Sequence, residues 1–472
     1  MTDDESCLTR RAALRAAGAT IAAGALAGCG GRDPETTTRG TTAGETPTAE
    51  PTTGSTTTAS ETTTRSTNDL VDPTDYGTVV NVAEAGADAS GEEPINPVVD
   101  EHVGDDTLLY FPSGRYRLDG WRVTDYSNLA VVGDDAALVA PPDVNYWLMW
   151  GDLEDLLFAG FTIDCRGKNV APIAHVGVAG GDNVVRDVTV RGHRHAPKTA
   201  FEVEVTDPEG SLLFDRLSLP DGSTTGHSVY VFEDSVGELT FKDCRIEHWK
   251  EGLYAAYHQG PLRIVGGYYA NNGIEQVRVG GGTAGAVVKD VTVRVDNPRQ
   301  AQNKPNMRGI WAEEGAHVRI ENCDIALTDL TGTYSSGGIV IEKQFGEAVV
   351  ENTRVRTDVD AYALSVRKPI ESMKGQTVPS MDHLPKRTRF TARNLRIEGT
   401  AASGTAIRVN ERDDCTFENL CVQHPEGDRD GLLVEEADGC SVTDATIDVS
   451  GEAVVTEEAT VATERLRRNG SC

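Results

Sequence analysis

One short motif recurs along most of this chain and limits the folds that it can adopt. It reads apolar–x–apolar–x–(Asn, Asp or Gly)–x–x–apolar, and clear copies occupy residues 156–163, 184–190, 239–246, 318–325 and 417–422. The central residue, here called the marker, recurs at positions 128, 160, 187, 215, 243, 267, 290, 322, 352, 394, 419 and 444. A constant motif with inserts of variable length is typical of a solenoid, in which each coil keeps its strands and lengthens its loops on one side.

Each repeat contains three short strand patterns. Alternating residues precede the marker, a second short strand follows it, and a third strand begins with a small residue at 228–231, 309–312, 338–341 and 406–409. A β-propeller would need hairpin turns, which the repeats lack. The pattern predicts an all-β parallel β-helix of about 12 coils. Stacked Asn and Asp markers are expected to form an internal hydrogen-bonded ladder.

The first 29 residues resemble an export signal. Arg10 and Arg11 precede a short apolar stretch at 16–27, which is too short to span a bilayer. Cys29 follows Leu26-Ala27-Gly28, as in a lipobox. We predict a Tat-type lipoprotein signal, lipidation of Cys29 and a location on the extracellular face of the membrane. An uncleaved N-terminal anchor is the alternative.

Composition divides the rest of the chain. Residues 30–70 are rich in Thr and almost free of apolar side chains, which predicts a disordered stalk. The solenoid is expected over 71–465, followed by a tail at 466–472. A formal net charge of −30 argues against nucleic acid or an anionic lipid surface as partner. The spread of the acidic residues is typical of a halophilic protein surface.

The start of the solenoid also carries a family resemblance. Residues 76–82 and 109–118, with an expected cap helix near 95–103, resemble the opening of the pectate-lyase-like superfamily of right-handed parallel β-helices. The resemblance extends from about residue 76 to about residue 460. It implies the right-handed fold, but members include lyases, hydrolases, epimerases and non-catalytic adhesins, so it does not fix an activity.

In the resembling enzymes the substrate groove runs along the first strand of each coil. Carried over by register, that strand begins at Val229, Leu253, Val277, Ile310, Ile339, Leu364, Ile407 and Leu432. The next residue of each strand points outward, giving the column Tyr230, Tyr254, Arg278, Trp311, Val340, Ser365 and Arg408. Two positions on, a second column reads Phe232, Ala256, Gly280, Glu313, Glu342, Arg367 and Asn410.

Outward aromatic rings at this face favour a sugar-binding groove, since sugar rings offer flat apolar faces. Ordinary packing of the stripe beneath a loop is the alternative. Five of the ten histidines lie between positions 193 and 258, which marks the same region of an acidic chain. The candidate substrate-binding residues are His193, His195, His227, Tyr230, Trp249, Tyr254, His258, Trp311 and Arg367.

Two chemistries fit these residues. A lyase needs a base and a cation that neutralises a uronate carboxylate, for which Lys250, Arg278, Arg308 and His258 are candidates. A hydrolase needs two carboxylates, and either Glu313 with Glu342 or Glu251 with Glu275 would supply them. The candidate catalytic residues are Lys250, Glu275, Arg278, Arg308, Glu313 and Glu342.

Several family signatures are missing. The motif set of polygalacturonase-type hydrolases and the Arg-rich signature of calcium-dependent pectate lyases are not found. No cofactor is predicted, and calcium is left as an alternative that no motif supports. The absence of a CxxC pair argues against zinc. Cys415 and Cys440 share an inward register on successive coils and are expected to be stacked, buried thiols.

These observations predict a cell-surface lipoprotein that binds or acts on carbohydrate. A polysaccharide lyase or glycoside hydrolase acting on an acidic polysaccharide is one hypothesis. The alternative is a non-catalytic surface adhesin or structural binding protein that uses the same groove.

Overall fold

The computed structural model describes residues 70–299, 306–371 and 385–470. The leader, Cys29 and nearly all of the Thr-rich stalk lie outside these ranges, so the expectations about export, lipidation and disorder stay predictions. Within the described ranges the only α-helix is α1 (Asn96–His102), which follows a 3-10 turn at Pro73–Asp75. No described helix has the length and apolar content needed to cross a membrane.

The chain forms a right-handed parallel β-helix of about 13 turns, which confirms the predicted fold class. Its strands form three parallel sheets that run the length of the solenoid. The first sheet contains β4 (Trp121–Thr124), β6 (Tyr146–Leu153), β8 (Ile173–Val178), β11 (Phe201–Val205), β14 (Ser223–Val231), β17 (Trp249–Ala255), β20 (Glu275–Val279), β23 (Arg308–Glu321), β25 (Ile339–Glu351), β27 (Leu364–Val366), β30 (Ser403–Asn410), β33 (Asp428–Glu435) and β36 (Val454–Glu457).

The second sheet also includes the second halves of the bent strands β23 and β25. Its own strands are β1 (Thr78–Asn81), β2 (Thr107–Phe111), β5 (Leu129–Val139), β7 (Leu157–Asp164), β9 (Asp182–Arg186), β12 (Ser211–Asp215), β15 (Glu238–Lys242), β18 (Leu262–Val265), β21 (Ala286–Lys289), β28 (Phe390–Arg393), β31 (Thr416–Glu418), β34 (Cys440–Thr443) and β37 (Val461–Glu464).

The third sheet takes the second halves of β5 and β7. Its own strands are β3 (Gly114–Arg117), β10 (Thr189–Arg191), β13 (Ser218–Leu219), β16 (Arg245–Glu247), β19 (Tyr268–Ala270), β22 (Thr292–Val295), β24 (Asp324–Leu327), β26 (Arg354–Thr357), β29 (Arg396–Glu398), β32 (Cys421–His424) and β35 (Thr446–Val449).

Inward side chains of the three sheets form one continuous apolar core. In the first sheet Leu253, Val277, Ile310 and Ile339 stack in register and are fully buried. Each such side chain contributes about 1.5–3 kcal/mol of burial free energy. At the open end of the solenoid, α1 places Val99 against this core. The helix lies where the sequence predicts a cap.

The marker residues occupy the turn between the second and third sheets. Asp187, Asp243, Asp290, Asn322, Asn352, Asn394, Asn419 and Asp444 all have φ between 50° and 57°. Asn and Asp are favoured there because they tolerate the left-handed conformation better than other residues with a side chain. The marker is therefore required for its backbone conformation.

The expected internal ladder of marker side chains is wrong. Asn352, Asn394 and Asn419 are exposed. The hydrogen bonds between their side-chain amides, at 2.8 and 2.7 Å, run along the outside of the turn. The residue after each marker points inward instead, as Cys323 and Leu395 do. A residue with positive φ turns the chain at the corner, so the side chain that enters the core is the next one.

Three marker positions are also misplaced. Asn128 lies in the turn between the first and second sheets, where it bonds Asp106. The true marker positions of two other coils are Arg216 and Gly266, each one residue away from 215 and 267. Cys415 and Cys440 are free and buried, which confirms the expectation of stacked thiols.

Candidate functional site

The first sheet has the register that the sequence predicts. Tyr230 pairs with Tyr254, Tyr254 with Arg278, and Arg278 with Trp311, on the successive strands β14, β17, β20 and β23. These side chains therefore share one outer face of the solenoid. Neighbouring coils are about 4.8 Å apart, so groups at the same register position lie within contact range.

The outward column is packed as a stack of rings and guanidinium groups. The Arg278 guanidinium lies 3.8 Å from the Tyr254 ring centroid and 4.1 Å from that of Trp311. Arg308 lies over the Trp311 ring at 3.8 Å. Tyr254 and Trp311 are consequently only 6% and 8% exposed. The expected open aromatic stripe is wrong at these two positions, because arginine side chains cover the rings.

Arg278 is held by two carboxylates as well as by the rings. Its Nε lies 2.5 Å and its Nη2 2.7 Å from the two oxygens of Glu313, and its Nη1 lies 3.5 Å from Glu251 Oε2. Burial alone would lower the pKa of Arg278, but these hydrogen bonds and the surrounding carboxylates raise it. Arg278 is thus a permanent cation whose position is fixed by its neighbours.

A row of charged and imidazole side chains lies beside this stack, two residues before the core positions of the same strands. We call His227, Glu251, Glu275 and Arg308 the charged row. His227 pairs with Glu251, and Glu275 pairs with Arg308. Glu251 and Glu275 occupy the same register position, because the core residues two positions after them, Leu253 and Val277, pair with each other. The four residues therefore occupy successive coils.

Glu275 is the most unusual member of the charged row. It is fully buried, and neither carboxylate oxygen has a hydrogen-bond partner in the part of the chain that the structure describes. Burial raises the pKa of Glu275 to about 8, the Glu251 carboxylate adds to this, and Arg278 and Arg308 oppose it. Glu275 is therefore predominantly a neutral acid at pH 7.

Glu251 has the opposite surroundings. Lys250 Nζ lies 3.2 Å and His227 Nε2 3.4 Å from its Oε1, and Arg278 lies beside its other oxygen. Burial lowers the pKa of His227, although Glu251 opposes the shift, so this imidazole is predominantly neutral at pH 7. The charged row thus places a neutral acid next to a carboxylate that cations hold.

Arg308 ends the charged row. Its side chain has no hydrogen-bond or ion-pair partner among the described residues, and its buried Nε is unsatisfied. Burial lowers the pKa of Arg308. The end of the row therefore offers a cation that is available to a ligand.

Glu313 and Glu342 do not form the predicted carboxylate pair. Glu313 binds Arg278 on the preceding coil, whereas Glu342 binds Arg367 on the following coil, at 2.9 and 3.2 Å. Each carboxylate is therefore paired with an arginine and not with the other carboxylate. The other carboxylate pair considered from the sequence, Glu251 with Glu275, lies together in the charged row.

Four predicted binding residues lie away from the charged row. Trp249 is buried in the core and donates through Nε1 to Leu219 O at 3.0 Å. His258 is fully buried beside Ser235 Oγ at 2.9 Å, and burial lowers the pKa of His258 to about 4. His193 and His195 pack together beyond β10, with ring centroids 4.5 Å apart. Clustering along the sequence did not place these residues in one site, because consecutive positions of a coil face different directions.

The remaining predicted residues are near the row. Tyr230 packs its ring 4.9 Å from that of Tyr254 and contacts Tyr257 at 6.0 Å. Tyr257 and Glu202 were not selected from the sequence. Glu202 pairs with Tyr230 and so belongs to the same outward column one coil earlier. Extending the predicted register by one coil would have found it.

No set of three His, Cys, Asp or Glu side chains in the described ranges is arranged as metal ligands would be. The outward column and the charged row instead contain ion pairs between glutamates and arginines, together with the neutral acid Glu275. Proton transfer and electrostatic stabilisation are the chemistry that these residues themselves supply.

Comparison with known proteins gives structural similarity alone. No family model matches the chain, and no curated protein sequence matches it. The chain is similar to the surface protein and adhesin PfbA of Streptococcus pneumoniae, with 11% identity over 83% of this chain and 99% of that one and a TM-score of 0.45. It is also similar to a family 28 exopolygalacturonase of Yersinia enterocolitica, with 10% identity over 82% of this chain and 78% of that one and a TM-score of 0.24.

Proposed function

We propose that the chain is a cell-surface glycoside hydrolase that cleaves a polysaccharide containing acidic sugars, with the charged row as its active site. The observation that supports this most is Glu275, a buried carboxylic acid without a partner that stays protonated at neutral pH. A glycosidase needs such a group to protonate the leaving oxygen. Structural packing does not require an unpaired acid, whose burial costs free energy.

Glu275 and Glu251 have complementary roles in this mechanism. Glu275 donates its proton to the glycosidic oxygen as the bond to the anomeric carbon breaks, and Glu251 bonds to that carbon. Water then attacks the same carbon, passes a proton to the Glu275 carboxylate and releases Glu251. The spacing of about 4.8 Å between coils favours this retaining route, which needs carboxylates about 5–5.5 Å apart.

Cations support both carboxylates. Lys250 and Arg278 hold Glu251 in place, and Arg278 is itself fixed by Glu313. Arg308 is available for the carboxylate of an acidic sugar. Glu275 has to become accessible before it acts, and Arg308 beside it has no side-chain hydrogen bond that would resist a change of rotamer.

A β-eliminating lyase is the second candidate. It is favoured by Arg308, because an arginine whose pKa burial lowers is suited to removing a proton next to a uronate carboxylate. A non-catalytic adhesin remains the alternative outside enzymes. It would use the same groove without turning over its ligand.

Product analysis separates these functions. The protein is incubated with uronate-containing polysaccharides, and both new reducing ends and ultraviolet absorbance from unsaturated uronate are measured. We expect new reducing ends without absorbance, and a loss of at least about 100-fold in rate for Glu275→Gln. The matched control is Glu435→Gln, which removes a glutamate paired with Arg408 farther along the same sheet. Absorbance would establish the lyase, and binding without new ends would establish the adhesin.

A further inference from the structure

The outward column of the first sheet continues toward the N-terminal end of the solenoid beyond Tyr230. On the first sheet Glu202 pairs with Tyr230 on one side and with His175 on the other. These positions continue the outward column of Tyr254 and Arg278. A polymer bound over the charged row and extended along the solenoid axis would therefore pass over Glu202.

Glu202 is a half-buried carboxylate without a partner. The described residues give it no hydrogen bond and no ion pair, whereas its neighbour Glu204 lies 3.4 Å from His175 Nε2. Burial raises the pKa of Glu202, His175 opposes the shift, and Glu204 adds to it. A second carboxylate brought into this part of the groove would meet repulsion instead of a cation.

Aromatic rings surround Glu202. Phe232 lies 5.4 Å from the Tyr230 ring and 5.9 Å from the His175 ring, and Tyr146 is 49% exposed. The charge of Glu202 reaches Tyr146, whose pKa is raised by burial first and by this carboxylate second. Rings beside a carboxylate that accepts hydrogen bonds suit the apolar faces and hydroxyl groups of a sugar without charge.

The other end of the groove has the opposite character. Arg308 lies four coils from Glu202, a distance of about 19 Å along the axis. It carries a positive charge that has no ion pair with any described residue, whereas the next arginines, Arg367 and Arg408, are paired with Glu342 and Glu435. Glu275 and Glu251 lie between Arg308 and Glu202. The groove is therefore cationic on one side of the two carboxylates, and anionic and aromatic on the other.

We propose that the ligand is a mainly neutral or amino-sugar chain that carries isolated acidic units, and that it is not a homopolymer of uronic acid. The length of a sugar ring is similar to the spacing of about 4.8 Å between neighbouring coils, so a chain along the groove places about one unit on each coil. The acidic unit binds at Arg308, and an uncharged or cationic unit binds at Glu202. A polyuronate places a carboxylate against Glu202 at the same time. This inference rests on the proposed function for the location of the groove, but concerns binding and not cleavage.

The test compares three pentasaccharides of the same linkage by calorimetry: a neutral one, one with a single terminal uronate, and one made wholly of uronates. We expect the single-uronate ligand to bind at least about tenfold more tightly than either of the others. Arg308→Gln is expected to bring its affinity to that of the neutral ligand. Glu202→Gln is expected to strengthen binding of the all-uronate ligand by about tenfold, and to weaken binding of the neutral ligand slightly, because a neutral amide accepts hydrogen bonds less strongly than a carboxylate.

The matched control is Glu238→Gln on the second sheet, where Glu238 pairs with the exposed Arg263. It is expected to change none of the three affinities. Circular dichroism of each variant establishes that the fold is intact, and an isosteric Gln at the half-buried Glu202 preserves the packing. If the all-uronate ligand binds best to the wild type and is indifferent to Glu202→Gln, the inference is wrong. Binding in the expected order without cleavage would instead overturn only the proposed hydrolase.

Discussion

At the scale of single residues, the stability of the charged row and the outward column depends on how a few buried ionisable side chains are paired. Arg278 is stacked between two rings and paired with Glu313, so removing it would leave carboxylates buried without a partner. Glu275 avoids that cost by keeping its proton. One arginine and one neutral acid thus allow several carboxylates to lie close together in a mostly buried site.

The protonation of Glu275 makes stability depend on pH. Its pKa rises from an ordinary 4.5 to about 8 on folding, so between these values the folded state binds more protons than the unfolded state. The free energy of unfolding therefore falls as the pH rises from about 4.5 to 8, by up to a few kcal/mol. Glu275→Gln removes this pH-dependent decrease in the free energy of unfolding, because glutamine does not ionise.

Chemical denaturation of the two proteins at a series of pH values measures the effect. As the pH rises from about 4.5 to 8, we expect the free energy of unfolding of Glu275→Gln to increase relative to that of the wild type. Above about pH 8 the difference between the two proteins is expected to stay constant. The control is Glu435→Gln, whose profile is expected to follow the wild type. Parallel curves for Glu275→Gln and wild type from pH 4 to 9 would show that folding does not raise the pKa of Glu275.

At the scale of strands and turns, the sequence predicts pairing more successfully than it predicts turns. The register of the first sheet follows from alternation, because a shift of one residue would move every core side chain, such as Val277 and Ile310, to the outside. The marker turn follows a different requirement. Its Asn or Asp is selected for positive φ, and composition alone does not tell whether that side chain points in or out.

The turn predicts a difference between two substitutions at Asn394, which has a φ of 51° and an exposed amide bonded on both sides. Asn394→Ala loses two exposed hydrogen bonds of the side-chain amide and puts a residue that tolerates the left-handed conformation less well than Asn at this position, which together cost about 1–3 kcal/mol. Asn394→Gly loses the bonds but relieves the strain, so it is expected to cost less.

Thermal unfolding of both variants tests this explanation. The melting temperature is expected to decrease in the order wild type, Gly variant, Ala variant. A Gly variant that is less stable than the Ala variant would mean that backbone conformation is not the reason why Asn is favoured at the marker position, and that hydrogen bonding of its side-chain amide is. The Gly variant therefore serves as the matched control for the Ala variant.

At the scale of the whole molecule, a repeat determines the fold but not the site. Stacking coils with a constant register made the outward column predictable, including Tyr254, Arg278 and Trp311. The register did not reveal that arginines cover the rings, or that Glu313 binds an arginine on the preceding coil and Glu342 one on the following coil. These contacts depend on which charged side chains lie on neighbouring coils. Trp249 and His258 were misplaced for a related reason, since consecutive positions of a coil face different directions and both side chains are buried.

The predicted attachment to a membrane concerns a segment that precedes the solenoid in the sequence. Cys29 follows a lipobox-like sequence, and it is predicted to become the first residue of the chain after cleavage of the leader; it lies outside the described residues. Lipidation at this thiol needs the sulfur atom, so Cys29→Ser is expected to move the protein from the membrane fraction to the soluble fraction after export. Its circular dichroism should not change, because the β-helix begins well after this position. The control is Cys165→Ser, which alters a free buried thiol of the solenoid and is expected to stay on the membrane. Cell fractionation followed by immunoblotting measures both variants. A Cys29→Ser protein that has lost its leader and still sediments with the membrane would contradict the lipid anchor, and would indicate that another part of the chain binds the membrane.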